Sequence, residues 1–106
     1  MFSINSETWK IVSVSPHHPK LLRSNGTYTV AVCDDITKKI YISKEITNPQ
    51  FFKKVLCHEI THAAMFSYNV NLTLEQEELL ADLIATYGQE IIGITNKIFK
   101  RIRNHE

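Results

Sequence analysis

His58-Glu59-Ile60-Thr61-His62 is the segment of this sequence in which residue type and spacing together specify chemistry. Positions i and i+4 project from one face of an α-helix, so a helix through this segment offers two imidazole nitrogens to a single Zn²⁺. Glu59 lies one step round the helix, placed to take a proton from a zinc-activated water. A catalytic zinc site needs a third protein ligand and one open position. The extended pattern H-E-x-x-H-x-x-G-x-x-H does not supply that ligand, because Met65 stands at its glycine and Tyr68 at its third histidine. A carboxylate from a later helix is the other source. Glu78 and Asp82 stand one turn apart, the first of them sixteen residues after His62. Glu78 could be the ligand, with Asp82 one turn later useful as a hydrogen-bond partner for an imidazole, or Asp82 could be the ligand itself. Glu75 and Glu77 need no metal to explain them, since acidic residues in the first turn of a helix are favoured by its dipole. Cys57 adjoins His58, but its side chain leaves the helix about 100° away, which gives it a packing role and not a ligand's.

The charge around this segment suits a cation. From Val55 to Asn96 there is no Lys or Arg, while Glu59, Glu75, Glu77, Glu78, Asp82 and Glu90 all fall there. Lys97, Lys100, Arg101 and Arg103 follow, as expected near the C-terminal end of a helix.

Two helices must position these residues. Asn48-Pro49 is a helix start, a capping side chain followed by proline at the first helical position. From Gln50 to about Tyr68 nothing breaks the helix, and Asn69-Val70-Asn71 ends it. Val55, Met65 and Phe51 share the stripe that faces the metal, while Leu56, Ile60, Ala63 and Ala64 face the core. Thr73 and Gln76 form a capping box that opens the second helix. Its apolar stripe runs through Leu79, Leu80, Leu83, Ile84, Tyr87, Ile91, Ile94, Ile98 and Ile102, with Gly88 and Gly93 as points where it can kink or split.

The first half of the chain reads as β. Thr8–Ser15 is a strand, ended by Pro16-His17-His18-Pro19. Asn25-Gly26 is a turn. Tyr28, Val30 and Val32 alternate with Thr27, Thr29 and Ala31, and Ile40–Ser43 returns after a turn at Asp34–Lys38, which makes a hairpin.

With 106 residues, 43% hydrophobic and 22% charged, the chain is one ordinary globular domain over 1–106. A net charge of +1 gives no field of the kind that marks a nucleic-acid binder. No apolar run approaches the ~20 residues of a membrane span, and the N-terminus lacks the pattern of a signal peptide. Two cysteines, Cys33 and Cys57, are too few for a disulfide framework. The expectation is a cytoplasmic protein with reduced thiols.

The segment His58-Glu59-Ile60-Thr61-His62, followed by Glu78-Leu79-Leu80-Ala81-Asp82, resembles the gluzincin pattern H-E-x-x-H then E-x-x-[AS]-[DN]. Among short chains it is similar to the minimal gluzincins and to the ImmA/IrrE-type metallopeptidases of phages and mobile elements, over about Gly26 to Gly93. The resemblance implies an α+β, zincin-like fold: a small twisted sheet of about three strands, packed on an active-site helix and a long C-terminal glutamate helix. It implies Zn²⁺ held by His58, His62 and Glu78, with Glu59 as general base and Asp82 orienting His58. It further implies hydrolysis of a peptide or protein substrate bound along an edge strand within Tyr28–Ser43. The alternative is a non-catalytic zinc-binding interaction module of the same fold. Larger gluzincins stabilise the oxyanion with a downstream His or Tyr. Here Tyr68, Tyr87, His17 and His18 are the available donors, and none of them sits in a recognisable motif.

Overall fold

The computed structural model describes residues 1–105. Asn5 and Ser6 both take left-handed backbone conformations, φ 48° and 64°, as the two central residues of a tight hairpin turn require. This turn folds strand β1 (Phe2–Ile4) back on β2 (Glu7–Val14). After β2 the chain makes one 3₁₀ turn at Pro19–Leu21. It then enters β3 (Ala31–Asp34), turns through residues 35–38 and returns as β4 (Lys39–Ser43). β4 slots between β2 and β3. It pairs parallel with β2, Ile11 opposite Ile40, and antiparallel with β3, Val32 opposite Tyr41. The sheet order is β1-β2-β4-β3.

The architecture is α+β, as expected, but the sheet has four strands and not three. The additional one is β1, whose three residues are too few to show a periodicity. The hairpin forms from a later start than the alternation at Tyr28 suggests. Residues 27–29 pair instead with 21–23 around the bridge of Leu22 with Tyr28, Val30 makes a single bond to Ser43, and the strand begins at Ala31.

Period-2 alternation sends the two halves of the core to opposite faces. Trp9, Ala31, Ile40 and Ile42 point to one face, where Ala63 of helix α1 (Pro49–Ser67) meets them. Tyr41, Val14 and Leu21 form a smaller cluster on the other. Burial of a large apolar side chain contributes roughly 1.5–3 kcal/mol, so Trp9 and Ile40, both fully buried, are among the main anchors of the sheet on α1. The indole Nε1 of Trp9 also donates to Ser67 Oγ at 2.9 Å, and Asn5 Nδ2 donates to the Ser67 carbonyl at 2.9 Å. The end of α1 is thereby fixed to the β1–β2 hairpin.

Asn48 caps α1 through its side chain, accepting from Phe51 N–H, with Pro49 at the first helical position. Helix α2 (Leu74–Arg103) opens with the expected capping box between Thr73 and Gln76. It runs for 30 residues without interruption. Gly88 and Gly93 do not split it, since about 1 kcal/mol for each glycine is small beside the stabilisation of a long capped helix packed on α1. No helix is long and apolar enough to cross a membrane among the described residues.

Candidate metal centre

α1 carries His58 and His62 on the face turned to the first turns of α2, and α2 brings Glu77, Glu78 and Asp82 to meet them. The two imidazole Nε2 atoms lie 3.1 Å apart. Glu78 spans both, with one carboxylate oxygen 2.9 Å from His62 Nε2 and the other 3.3 Å from His58 Nε2. On the far sides of the rings, His58 Nδ1 is 3.0 Å from Asp82 Oδ1 and His62 Nδ1 is 2.7 Å from Glu77 Oε1.

A carboxylate therefore flanks both nitrogens of each ring and holds its plane. With a cation between the two Nε2 atoms, each Nδ1 would carry the hydrogen and donate it to its outer carboxylate, leaving the two Nε2 lone pairs and the Glu78 carboxylate to the cation. Ligand atoms about 2.0–2.1 Å from a tetrahedral metal ion are about 3.3 Å from each other. The observed separations of 2.9, 3.1 and 3.3 Å are close to that edge. His58, His62 and Glu78 could therefore hold a metal ion.

Of the two carboxylates that sequence left open as the third ligand, Glu78 lies against both Nε2 atoms. Asp82 is on the Nδ1 side of His58. Glu77 is the residue that sequence reasoning missed. Its place in the first turn of α2 has a sufficient explanation in the helix dipole, yet it holds His62 as Asp82 holds His58. The available signal was its adjacency to Glu78, since neighbouring carboxylates on a helix facing a histidine pair can reach one ring each.

Glu59 is 8% exposed and sits between α1 and β3. Burial pushes its carboxyl pKa up, against the pull of the adjacent His62 and His58, and the backbone N–H of Cys33 is directed at it. Two clefts flank the centre, and Glu59 lines both. One, of about 230 Å³, runs between Val30–Ala31 and the Phe51, Val55 and His58 face of α1. The other, of about 260 Å³, lies between Val32–Cys33 and His62, Phe66 and Glu77. Neither reaches the 300–1,000 Å³ usual for an enclosed small-molecule pocket. End to end they form an open trough beside β3. Phe51 and Val55 stand on the metal-facing stripe as expected. Met65 does not, being buried away from both clefts, and Phe66 takes its place.

β3 is the edge strand of the hairpin, and β4 is interior. The Val30 carbonyl accepts from Ser43 N–H, so Val30, Val32 and Asp34 turn their main-chain groups to β4. Ala31 and Cys33 consequently turn theirs to the open edge, over the trough.

The oxyanion donors proposed from sequence are not brought to this place. His17 packs edge-on to Tyr28 and His18 stacks on Tyr41. Tyr68 and Tyr87 are more than half exposed and line neither cleft.

Both cysteines are free. Burial, followed by the negative charge of Glu59, pushes the Cys33 thiol up to about 12, so it stays protonated at neutral pH. Cys57 lies outside the cluster. Cys57→Ala is expected to leave the metal content of the purified protein unchanged by elemental analysis, and a loss would place a sulfur in the site.

No protein-family model, no curated protein and no solved structure matches this chain. Its chemistry is read from the residues themselves.

Proposed function

We propose that the chain is a zinc-dependent metallopeptidase of the gluzincin kind, with His58, His62 and Glu78 as the ligands and Glu59 as general base. The observation that carries this reading is the pair of imidazoles held by Asp82 and Glu77 with their Nε2 atoms converging on Glu78, while a further carboxylate, Glu59, is left beside the cluster and faces the trough. A site built only to hold a metal has no use for Glu59.

A zinc ion in such a site supplies Lewis acidity, acidifying water and polarising a carbonyl. Glu59 takes the proton of the attacking water and returns it to the leaving amine. Its buried position beside Cys33 N–H keeps it in one orientation, so little reorganisation accompanies the transfer. Asp82 and Glu77 hold the ring planes and raise the basicity of the ligating nitrogens. The N–H and C=O of Ala31 and the C=O of Cys33, turned to the open edge, can take an extended peptide as an added strand, with its side chains entering the two clefts alternately.

Two histidines and one carboxylate also suit iron(II), so metal identity is the first thing to measure. Protein purified without chelator should contain about one zinc per chain and cleave members of an unstructured peptide library. Iron in place of zinc, or no metal at all, would remove this reading. Zinc without cleavage of any peptide would favour a binding module of the same fold.

A further inference from the structure

α2 extends well past the start of α1, and it makes the molecule 57 Å long against 31 and 27 Å in the other directions. Ala81, Ala85 and Gly88 form the side of α2 that packs toward the body, and all three are buried or half-buried. About 100° round the helix from that side runs a second line, Ile84, Tyr87, Ile91, Ile94 and Ile98, spaced 3, 4, 3, 4. That is the spacing of a coiled-coil seam. Four of its five members are 48–56% exposed, and Leu83 and Ile102 on its margins are 48% and 57% exposed. At roughly 100 Å² of uncovered side chain each, Tyr87, Ile91, Ile94 and Ile98 leave about 400 Å² of apolar surface per chain, close to the apolar share of the ~800 Å² that each partner buries in a standard stable interface.

We propose that this seam pairs with the same seam of a second copy, antiparallel, so that the chain is a two-fold symmetric dimer built on α2. The charge on the helix selects the direction. Its first turns carry Glu75, Glu77, Glu78 and Asp82, Glu90 lies just past its middle, and its last turns carry Lys97, Lys100, Arg101 and Arg103. Parallel pairing would set the basic turns against each other, whereas antiparallel pairing brings Glu90 beside the basic turns of the partner subunit. The register follows from the seam. With the two-fold axis between residues 92 and 93, Ile91 meets Ile94 of the partner subunit, and Tyr87 meets Ile98 of the partner subunit. The helices then overlap over residues 84–101, about 27 Å. In the same register Glu90 lies beside Lys97 of the partner subunit, and symmetry makes that pair twice. Gly88 and Thr95 occupy the opposite flank, where small side chains let the helices approach. The metal-facing side of α2, with Glu78 and Asp82, points away from the seam and stays open. A lipid surface would account for the basic turns and for an apolar stripe, but not for Glu90 on the flank of the seam.

Sedimentation equilibrium of the full chain from about 1 to 100 µM tests this. The wild type is expected at twice the 12.2 kDa chain mass. Ile91→Asp with Ile94→Asp should give a monomer whose metal content and Trp9 fluorescence are unchanged, since both positions are exposed in the single chain. Glu90→Lys and Lys97→Glu should each weaken the dimer by about tenfold, and the double exchange should restore it, because residues seven apart in one helix are too far apart to pair with each other. A monomer at 100 µM would overturn the proposal. So would a dimer that survives the aspartates, a double exchange that restores nothing, or a wild-type monomer that binds phosphatidylserine vesicles through the same isoleucines.

Discussion

Glu59→Gln is expected to keep one metal ion per chain and to lose peptide cleavage by 10²–10⁴-fold, the contribution general-base catalysis makes, or by more. The amide has the size of the carboxylate and can still accept from Cys33 N–H, so the buried niche between α1 and β3 stays filled and the fold is retained. What it lacks is the ability to bind the proton of the attacking water. Stability should move little, by less than about 1 kcal/mol, because the substitution removes a buried charge as well as a partner. Metal analysis, a melting curve and cleavage of a reporter peptide on the same preparation separate these effects. If the glutamine protein retains full turnover, Glu59 is not the base. If it loses its metal, Glu59 is a ligand and the assignment of the three carboxylates is wrong.

Local signals carried much of this molecule into view. Asn48-Pro49 and the Thr73/Gln76 box mark the starts of both helices because a cap is decided within four residues. The i, i+4 histidines and the second i, i+4 pair at Glu78 and Asp82 show where the cluster forms, since each pair lies on one helix. What stayed hidden depends on contacts between distant segments. Nothing local says that β4 enters between β2 and β3, or that it runs parallel to β2, so the choice of β3 as the open edge could not be made in advance. β1 escaped notice because its turn uses Ser6 at positive φ where glycine is the usual signal. Glu77 was hidden by having a sufficient explanation already. A first-turn glutamate is worth something to any helix, and only the approach of His62 across the α1–α2 packing shows its second use.

The two neighbouring glutamates of α2 should therefore differ sharply when each is changed. Glu78→Ala removes one of three ligand groups, and the remaining histidine pair is a much weaker site. Bound metal stabilises the native state by mass action, about 2.7 kcal/mol at a free concentration 100 times Kd. For a domain of this size each kcal/mol is worth roughly 4–8 °C, so zinc is expected to raise the wild-type melting temperature by about 10–20 °C and that of Glu78→Ala by almost nothing. Chelator should lower the wild type to its metal-free value and leave the variant where it was. Glu77→Gln is a milder change. Its amide oxygen can still accept from His62 Nδ1–H, so the ring keeps its orientation, and only the charge that strengthens the ligating nitrogen is lost. Affinity should fall by about 10–100-fold, the range for a hydrogen-bonding group behind a ligand, and the zinc-dependent rise in melting temperature should shrink but persist. Titrating zinc into the chelated proteins while following the melt gives both numbers directly. A Glu78→Ala protein that keeps the full rise while Glu77→Gln loses it would exchange the two roles, with Glu77 the ligand and the geometry about His62 Nε2 reversed.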